Sequence, residues 1–238
     1  QQLEQPQQGS HPDGTDVSVL QHVLGDFPTM PAERGLFLEK TWRLHPQICA
    51  YTSDQFYAGK LESKDGLERQ VLWGTRRFNG AGLFLLPVAH EGNQNASREE
   101  VDCIEEVMEE LLWGGVTWTT AEDEEKPLTA EEILIVAPYN VQVADIQARL
   151  PAARVGTVDK FQGQEAAVVI YAMTTSSADE APRGMEFLYS LNRLNVATSR
   201  ARSVCILIAS PKLFEPDCKS PRQMRLANAF CEYLERQN

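Results

Sequence analysis

Arginines, and a glycine beside an acid, stand at three places in this chain where the sequence predicts that a strand or a helix ends. The three segments are residues 41–46 (TWRLHP), 157–165 (TVDKFQGQE) and 194–202 (LNVATSRAR). A planar guanidinium can bind two phosphate oxygens at once, and a glycine lets the backbone approach a ligand closely. These residue types at the ends of elements therefore predict nucleotide chemistry.

The elements that must position these segments alternate between strand and helix, which predicts an α/β fold with a mostly parallel sheet covered by helices on both faces. Apolar stretches predict strands near residues 36–39, 83–88, 133–137, 154–158, 167–173 and 204–209. Spacing and caps predict helices over residues 46–56, 97–113, 139–150, 185–202 and 222–235. Arg43 follows the first of these strands, and such folds bind ligands at the carboxyl ends of parallel strands.

In this order and spacing the three segments resemble motifs IV, V and VI of superfamily 1 helicases, specifically the Upf-type and DNA-replication/decay branch (superfamily 1B). The likeness runs from about Gly35 to Ser210 and includes residues 137–143 (APYNVQV). It implies the second, C-terminal RecA-like domain of an ATP-dependent helicase, whose sheet is of the P-loop-NTPase type. The alternative is a non-enzymatic RecA-like domain that serves as an interaction or nucleic-acid-binding platform, but Arg200 and Glu165 are both present.

The chain lacks a P-loop of its own. That motif, G-x-x-x-x-G-K-[ST], cradles phosphates with backbone N–H groups. The Gly59-Lys60 pair has Asp54 at the position of the first glycine and Leu61 at the position of the hydroxyl. The opening residues QQLEQP resemble the tail of the family's motif III. We therefore expect residues 1–30 to lead in from the end of a first RecA-like domain and residues 31–238 to form the second.

The resemblance also assigns nucleotide contacts. It implies that Arg200 is an arginine finger, which neutralises charge on the transferred phosphoryl group, and that Arg43 is a second catalytic, phosphate-binding arginine. Gln2 would sense the γ-phosphate, Gly163 would allow close backbone approach, and Glu165 would hold the ribose or support the metal ion. The implied cofactors are ATP and Mg²⁺, both held mainly by the first domain, which is also an expected partner.

A second set of residues is expected to bind a single nucleic-acid strand. Tyr139, Asn140 and Thr157 carry short neutral donors at element ends, which suit sequence-independent phosphate contacts, although loop capping is an alternative. Gln162 would connect this surface with the nucleotide. DNA is preferred over RNA, since nothing in the sequence indicates recognition of a 2′-hydroxyl.

Three further residues of these segments have more than one candidate role. His45 is expected to hold its motif loop by packing or hydrogen bonding, rather than to act as a base. Arg202 has either a structural or nucleic-acid role or a phosphate contact. Asn195 is expected to cap or cross-link the helix of the third segment.

Charge opposes a nucleic-acid partner at first sight. The chain has 22 Lys and Arg against 34 Asp and Glu, a net charge of -12, and this field repels a polyanion. Many acids lie within residues 99–110 and 122–125, whereas Arg193, Arg200 and Arg202 are expected to form a local basic groove. Binding by this chain alone is therefore expected to be weak.

Composition limits the class of protein. No apolar run reaches the 18 or so residues that span a bilayer, and the chain does not open with a signal-peptide pattern, so we expect a soluble, cytoplasmic domain without a membrane partner. The five cysteines form no C-x-x-C pair and the four histidines are scattered, which favours reduced thiols over disulfides or a zinc site.

Overall fold

The computed structural model describes residues 19–25, 27, 29–161 and 163–238. Its helices are α1 (Val19–Leu24), α2 (Pro46–Phe56), α3 (Arg98–Leu111), α4 (Asn140–Arg149), α5 (Met185–Leu188), α6 (Leu191–Thr198) and α7 (Pro221–Glu235). Its strands are β1 (Lys40–Thr41), β2 (Glu62–Ser63), β3 (Leu72–Trp73), β4 (Gly82–Pro87), β5 (Thr117–Thr119), β6 (Glu125–Pro127), β7 (Ile133–Val136), β8 (Arg154–Gly156), β9 (Ala166–Ala172) and β10 (Ala201–Ala209). Gln2, Gln162 and most of the predicted lead-in segment lie outside the described residues.

A five-stranded sheet organises the fold, in the order β4-β10-β9-β7-β8. Every neighbouring pair in it is parallel. All seven residues of β9 are buried, as its uninterrupted apolar sequence requires of a strand covered on both faces. The predicted α/β fold with a mostly parallel sheet is confirmed.

Two apolar cores lie on the two faces of this sheet. Along β10, Cys205, Leu207 and Ala209 join one core, while Val204, Ile206 and Ile208 join the other, as the alternation of a strand dictates. Side chains of α2, α5, α6 and α7 fill the first core. Side chains of α3, α4, β3 and β5 fill the second core, and β5 pairs with β3 and the exposed β6 in a small antiparallel sheet.

Helix α3 begins as predicted, because the Ser97 hydroxyl accepts a hydrogen bond of 3.2 Å from the backbone N–H of Glu100. Gln142 of α4 fixes this start: its side-chain oxygen accepts from the Ser97 N–H at 2.7 Å, and its amide donates to the Ser97 carbonyl at 3.2 Å. The helix ends at Leu111 rather than at residue 113. Leu112 follows the last helical turn and is 41% exposed.

Two predicted elements are wrong. Residues 36–39 do not form a strand; Leu36 and Leu38 are exposed, and the short β1 that follows pairs only with β2, outside the main sheet. The helix predicted over residues 185–202 is broken: Ser190 caps α6, which ends at Thr198, and Ala201 already pairs with Ala166 of β9. The helix cannot continue to residue 202 because the chain from Ala201 onward pairs with β9 as a strand.

Candidate nucleotide and nucleic-acid sites

Arg43, Glu165 and Arg200, which are far apart in the sequence, line one cleft of about 660 Å³. We call it the first cleft. Glu165 directly precedes β9 and Arg200 directly precedes β10, so the cleft lies at the amino ends of these parallel strands. The expectation that Arg43 acts at the carboxyl ends is therefore wrong. Arg43 reaches the amino ends because it extends from a loop outside the main sheet.

Glu165 binds two arginines in this cleft. One carboxylate oxygen accepts from Arg43 Nε and the other from Arg202 Nη2. Arg43 also donates from Nη1 to the Ser199 carbonyl at 3.0 Å, and Gln70 donates to the Arg43 carbonyl at 2.7 Å. Partial burial would raise the pKa of Glu165, but the bonds to Arg43 and Arg202 outweigh it and lower that pKa. The carboxylate is thus held charged between two fixed guanidinium groups.

Arg200 has a different environment. It lies in the turn between α6 and β10, and its Nε is buried without a hydrogen-bond partner among the described residues. Burial, together with the positive charge of Arg43, lowers the pKa of the Arg200 guanidinium from its ordinary value. A buried donor without an acceptor is costly in a native protein. Arg200 lines the cleft, so the outer part of its guanidinium group can meet an anionic ligand there.

Trp42 also lines the first cleft, and sequence reasoning missed it. Its side chain is 73% exposed, and Lys64 Nζ lies 3.5 Å from the centroid of its ring. A large exposed aromatic face beside two arginines can stack on a planar base. The sequence feature that could have indicated Trp42 is its position directly before Arg43 in the segment 41–46.

The three residues with alternative roles make hydrogen bonds within the fold. His45 caps α2, since its Nδ1 accepts from the Gln47 N–H at 3.2 Å, and its own backbone N–H donates to the Arg202 carbonyl at 3.0 Å. This confirms that His45 holds the motif loop. Arg202 supports Glu165 from β10, and Asn195 cross-links helices by donating to the Tyr57 hydroxyl at 3.3 Å. Gly163 has a φ of 84°, which favours glycine, but it is not among the residues that line the cleft.

Tyr139, Asn140 and Thr157 meet in another cleft of about 300 Å³, which we call the second cleft. They follow β7 and β8, so this cleft lies at the carboxyl ends of the parallel strands. A strand of the length of β9 separates the two ends of the sheet by about 20 Å. Arg193 lines the second cleft, so its predicted clustering with Arg200 and Arg202 in one basic groove is wrong.

Sequence reasoning missed two residues of the second cleft, Arg183 and Phe187. The guanidinium carbons of Arg183 and Arg193 lie 3.9 Å and 4.3 Å from the centroid of the Phe187 ring. The Tyr139 ring lies 5.5 Å from the same ring, centroid to centroid. No periodic pattern signals this contact, because it depends on the loop before α5.

A buried network lies at the same end of the sheet. His90 Nε2 lies 3.2 Å from Glu100 Oε1, and His90 Nδ1 lies 2.7 Å from the Ser176 hydroxyl. The other Glu100 oxygen accepts from the Thr174 N–H at 2.8 Å. Burial raises the pKa of Glu100, although the bonds from His90 and Thr174 partly oppose this effect. The network fixes the chain after β9 to the start of α3.

The parallel sheet and the two arginine-bearing clefts define a RecA-like α/β domain. Residues 16–212 match the model of a family described as an AAA domain (AAA_12), and the chain belongs to that family.

The chain is also similar to curated helicases. It is 28% identical over 195 residues to "Probable helicase MAGATAMA 3" of Arabidopsis thaliana, covering 76% of this chain and 23% of that protein. It is 28% identical over 183 residues to "DNA polymerase alpha-associated DNA helicase A" of Schizosaccharomyces pombe, covering 72% and 27%. It is 27% identical over 201 residues to "3'-5' exoribonuclease HELZ2" of Homo sapiens, covering 72% and 6%. The resemblance to superfamily 1B helicases is confirmed, and the chain spans about a quarter or less of the length of these relatives.

None of the helices in the described ranges has the length and apolar character that crossing a membrane requires.

Proposed function

We propose that this chain supplies the second RecA-like domain of an ATP-dependent nucleic-acid helicase. Residues 31–238 form that domain, and residues 1–30 lead in from the first. The observation that carries the proposal is the convergence of Arg43, Glu165 and Arg200 at one cleft. An arginine with an unsatisfied buried Nε, beside a second arginine fixed by a carboxylate, suits the phosphates of a nucleotide.

The residues of the first cleft fit ATP better than they fit a metal ion. Both carboxylate oxygens of Glu165 are bound by guanidinium groups, which leaves the cleft with a surplus of positive charge for an anion. We therefore assign Mg²⁺ mainly to the first domain, where Gln2 is also proposed to act. ATP hydrolysis supplies the free energy for movement along the strand. Arg200 and Arg43 stabilise charge on the phosphates, and Trp42 offers a stacking surface for the base.

The second cleft is the proposed contact with a single nucleic-acid strand. Tyr139, Asn140 and Thr157 line it together, at the other end of the sheet from the nucleotide. Gln162 remains a proposed contact, as does Gly163 for the nucleotide. The names of the relatives refer both to DNA and to RNA, so the preference for DNA remains a prediction. The cytoplasmic location is also a prediction.

The test is ATP hydrolysis by the intact protein, with and without single strands of matched DNA and RNA sequence. We expect strands to stimulate hydrolysis, and Arg43→Ala and Arg200→Ala each to reduce it strongly. Arg76→Ala is the matched control, because Arg76 is an exposed arginine that lines another groove. Full activity in both cleft variants would contradict the proposed role of the first cleft. Stimulation by RNA alone would overturn the preference for DNA.

A further inference from the structure

Two arginines of the second cleft lack acidic partners. The side chains of Arg183 and Arg193 form no hydrogen bond or ion pair with any residue that the structure describes. The chain contains 34 acidic residues, so pairing partners are plentiful elsewhere in it. Two neighbouring unpaired guanidinium groups on an acidic protein repel each other, and an anion between them would remove that cost.

The ring of Phe187 lies in contact with the guanidinium groups of both arginines. Its ring centroid lies 3.9 Å from Arg183 Cζ and 4.3 Å from Arg193 Cζ, and the Tyr139 ring supports it from 5.5 Å. Such cation–π contacts use the face of a guanidinium and leave its N–H edge free to donate. The ring therefore orients two sets of donors before a ligand arrives.

The charge of the cleft also selects an anion. Asp159 is the single acid among the residues that line it, against the two arginines. Asn95, Asn140 and Thr157 add neutral donors. The first cleft lies at the opposite end of the sheet, so this site is separate from the proposed nucleotide site.

Resting on the proposed function, we propose that Arg183 and Arg193 form an arginine clamp for the phosphodiester backbone of one nucleic-acid strand, with Phe187 as the residue that positions both guanidinium groups. Each arginine binds one phosphate. Contacts to phosphates fix a strand without reading its bases, so the clamp is independent of sequence.

The clamp is tested by titrating the intact protein with a labelled single strand at several salt concentrations. The proteins compared are the wild type, Arg183→Gln, Arg193→Gln and the control Arg76→Gln. Each clamp variant should lower affinity about tenfold, as loss of a hydrogen bond to a charged group does. Each should also reduce the slope of log affinity against log salt by about 0.7, the value for one phosphate of a single strand. Arg76→Gln makes the same change of charge beside Glu110, near the far end of α3, and should leave the slope unchanged.

The variant Phe187→Leu distinguishes the effect of positioning the two guanidinium groups from the effect of their charge. It keeps both arginines and an apolar side chain but removes the ring, so affinity should fall while the salt slope stays at the wild-type value. An unchanged thermal midpoint would show that the fold is intact. Wild-type affinity in Phe187→Leu would overturn the role of the ring.

The outcomes distinguish the clamp from the proposed function. Wild-type affinity and slope in both arginine variants would overturn the clamp, while strand binding itself would leave the proposed function standing. Loss of ATP affinity in place of strand affinity would assign these arginines to a mononucleotide and would also overturn the clamp. A wild-type protein that binds no strand would overturn the proposed function and the clamp together.

Discussion

Three arginines approach the first cleft, and their contacts separate their roles. Arg43 and Arg202 are bound to Glu165, so their guanidinium groups are already fixed without a ligand. Arg200 makes no ion pair with an acid in the described part of the chain, and its Nε is buried without a partner. A group with unused donors can form its strongest bonds to charge that develops during the reaction.

Replacing Arg200 should therefore affect turnover more than binding. In the intact protein, Arg200→Ala should lower kcat by about 10³ while nucleotide affinity stays within about tenfold of the wild type. Steady-state hydrolysis and an equilibrium nucleotide titration measure the two quantities. A variant that hydrolyses ATP normally but cannot bind a strand would instead place Arg200 at the nucleic-acid surface.

The residues predicted from motifs and those found only in the structure differ in a physical way. Arg43, Glu165 and Arg200 were predicted because each belongs to a segment with a recognisable order of residue types. Arg183 and Phe187 were missed because their importance comes from a contact across a loop, which leaves no pattern of spacing. Glu165 was predicted to hold a ribose or a metal, and its fixed pairing with two arginines could not be foreseen without the cleft.

At the scale of the elements, the buried Glu100 of α3, which bonds to the chain after β9, should make the stability of the fold depend on pH. Its folded-state pKa is raised, chiefly by burial, so the folded protein keeps this proton at a pH where the unfolded chain has lost it. Stability should therefore fall as pH rises from the unfolded pKa through the folded pKa.

Glu100→Gln removes this titration and should flatten the decline. The measurement is the free energy of unfolding in urea for both proteins, from about pH 4, near the ordinary pKa of a glutamate carboxyl group, up to about pH 8. His90 and Glu99, which face Glu100, are present in both proteins, so the difference reports the loss of the Glu100 carboxyl together with its contact with His90. Parallel curves would contradict the prediction.

The contact between Gln142 of α4 and the start of α3 gives a second prediction about stability. Gln142 is buried and satisfies both backbone groups of Ser97. Gln142→Leu should leave the Ser97 N–H buried without a partner, while the Ser97 carbonyl keeps the bond of 3.2 Å from the Val101 N–H. The expected cost is about 1 to 3 kcal/mol in the free energy of unfolding. The neighbouring Val141 is 47% exposed, so Val141→Ala is the control and should change stability by less than about 0.5 kcal/mol. Equal, small losses in a urea titration would show that water replaces the missing bonds.

The strands of the main sheet were predictable because continuous apolar runs permit few other environments. The errors fall where local sequence and tertiary pairing disagree. Residues 36–39 are apolar enough for a strand but have no place in the sheet, and the helical pattern after Leu191 gives way when Ala201 pairs with β9. A single sequence does not indicate which edge of a sheet is available or where a partner strand begins.

For the whole molecule, the missing P-loop predicts that this chain alone hydrolyses no ATP. A phosphate-release assay with Mg²⁺ and single-stranded DNA should give no turnover above background. Robust turnover that Arg200→Ala abolishes would refute the assignment of this chain to half of a motor.

The acidic charge of the whole molecule predicts weak strand binding by this chain. With a net charge of -12, attraction comes only from local donors, including the two arginines of the second cleft. The salt slope should correspond to roughly one to three phosphates at about 0.7 each. Fluorescence titration of the isolated chain at several salt concentrations measures it. Tight binding with a slope of several units would mean that another basic surface dominates.

Helix α6 connects the two clefts physically. Arg193, in its first turn, lines the second cleft, while Asn195, Val196, Ser199 and Arg200, towards and beyond its end, line the first. The helical rise from Arg193 to Ser199 is about 9 Å. A helix of eight residues is short and stiff along its axis, so we expect a shift of its last turn to displace Arg193 as well. Helix α6 is therefore the element that we expect to couple the proposed nucleotide site to the proposed strand site.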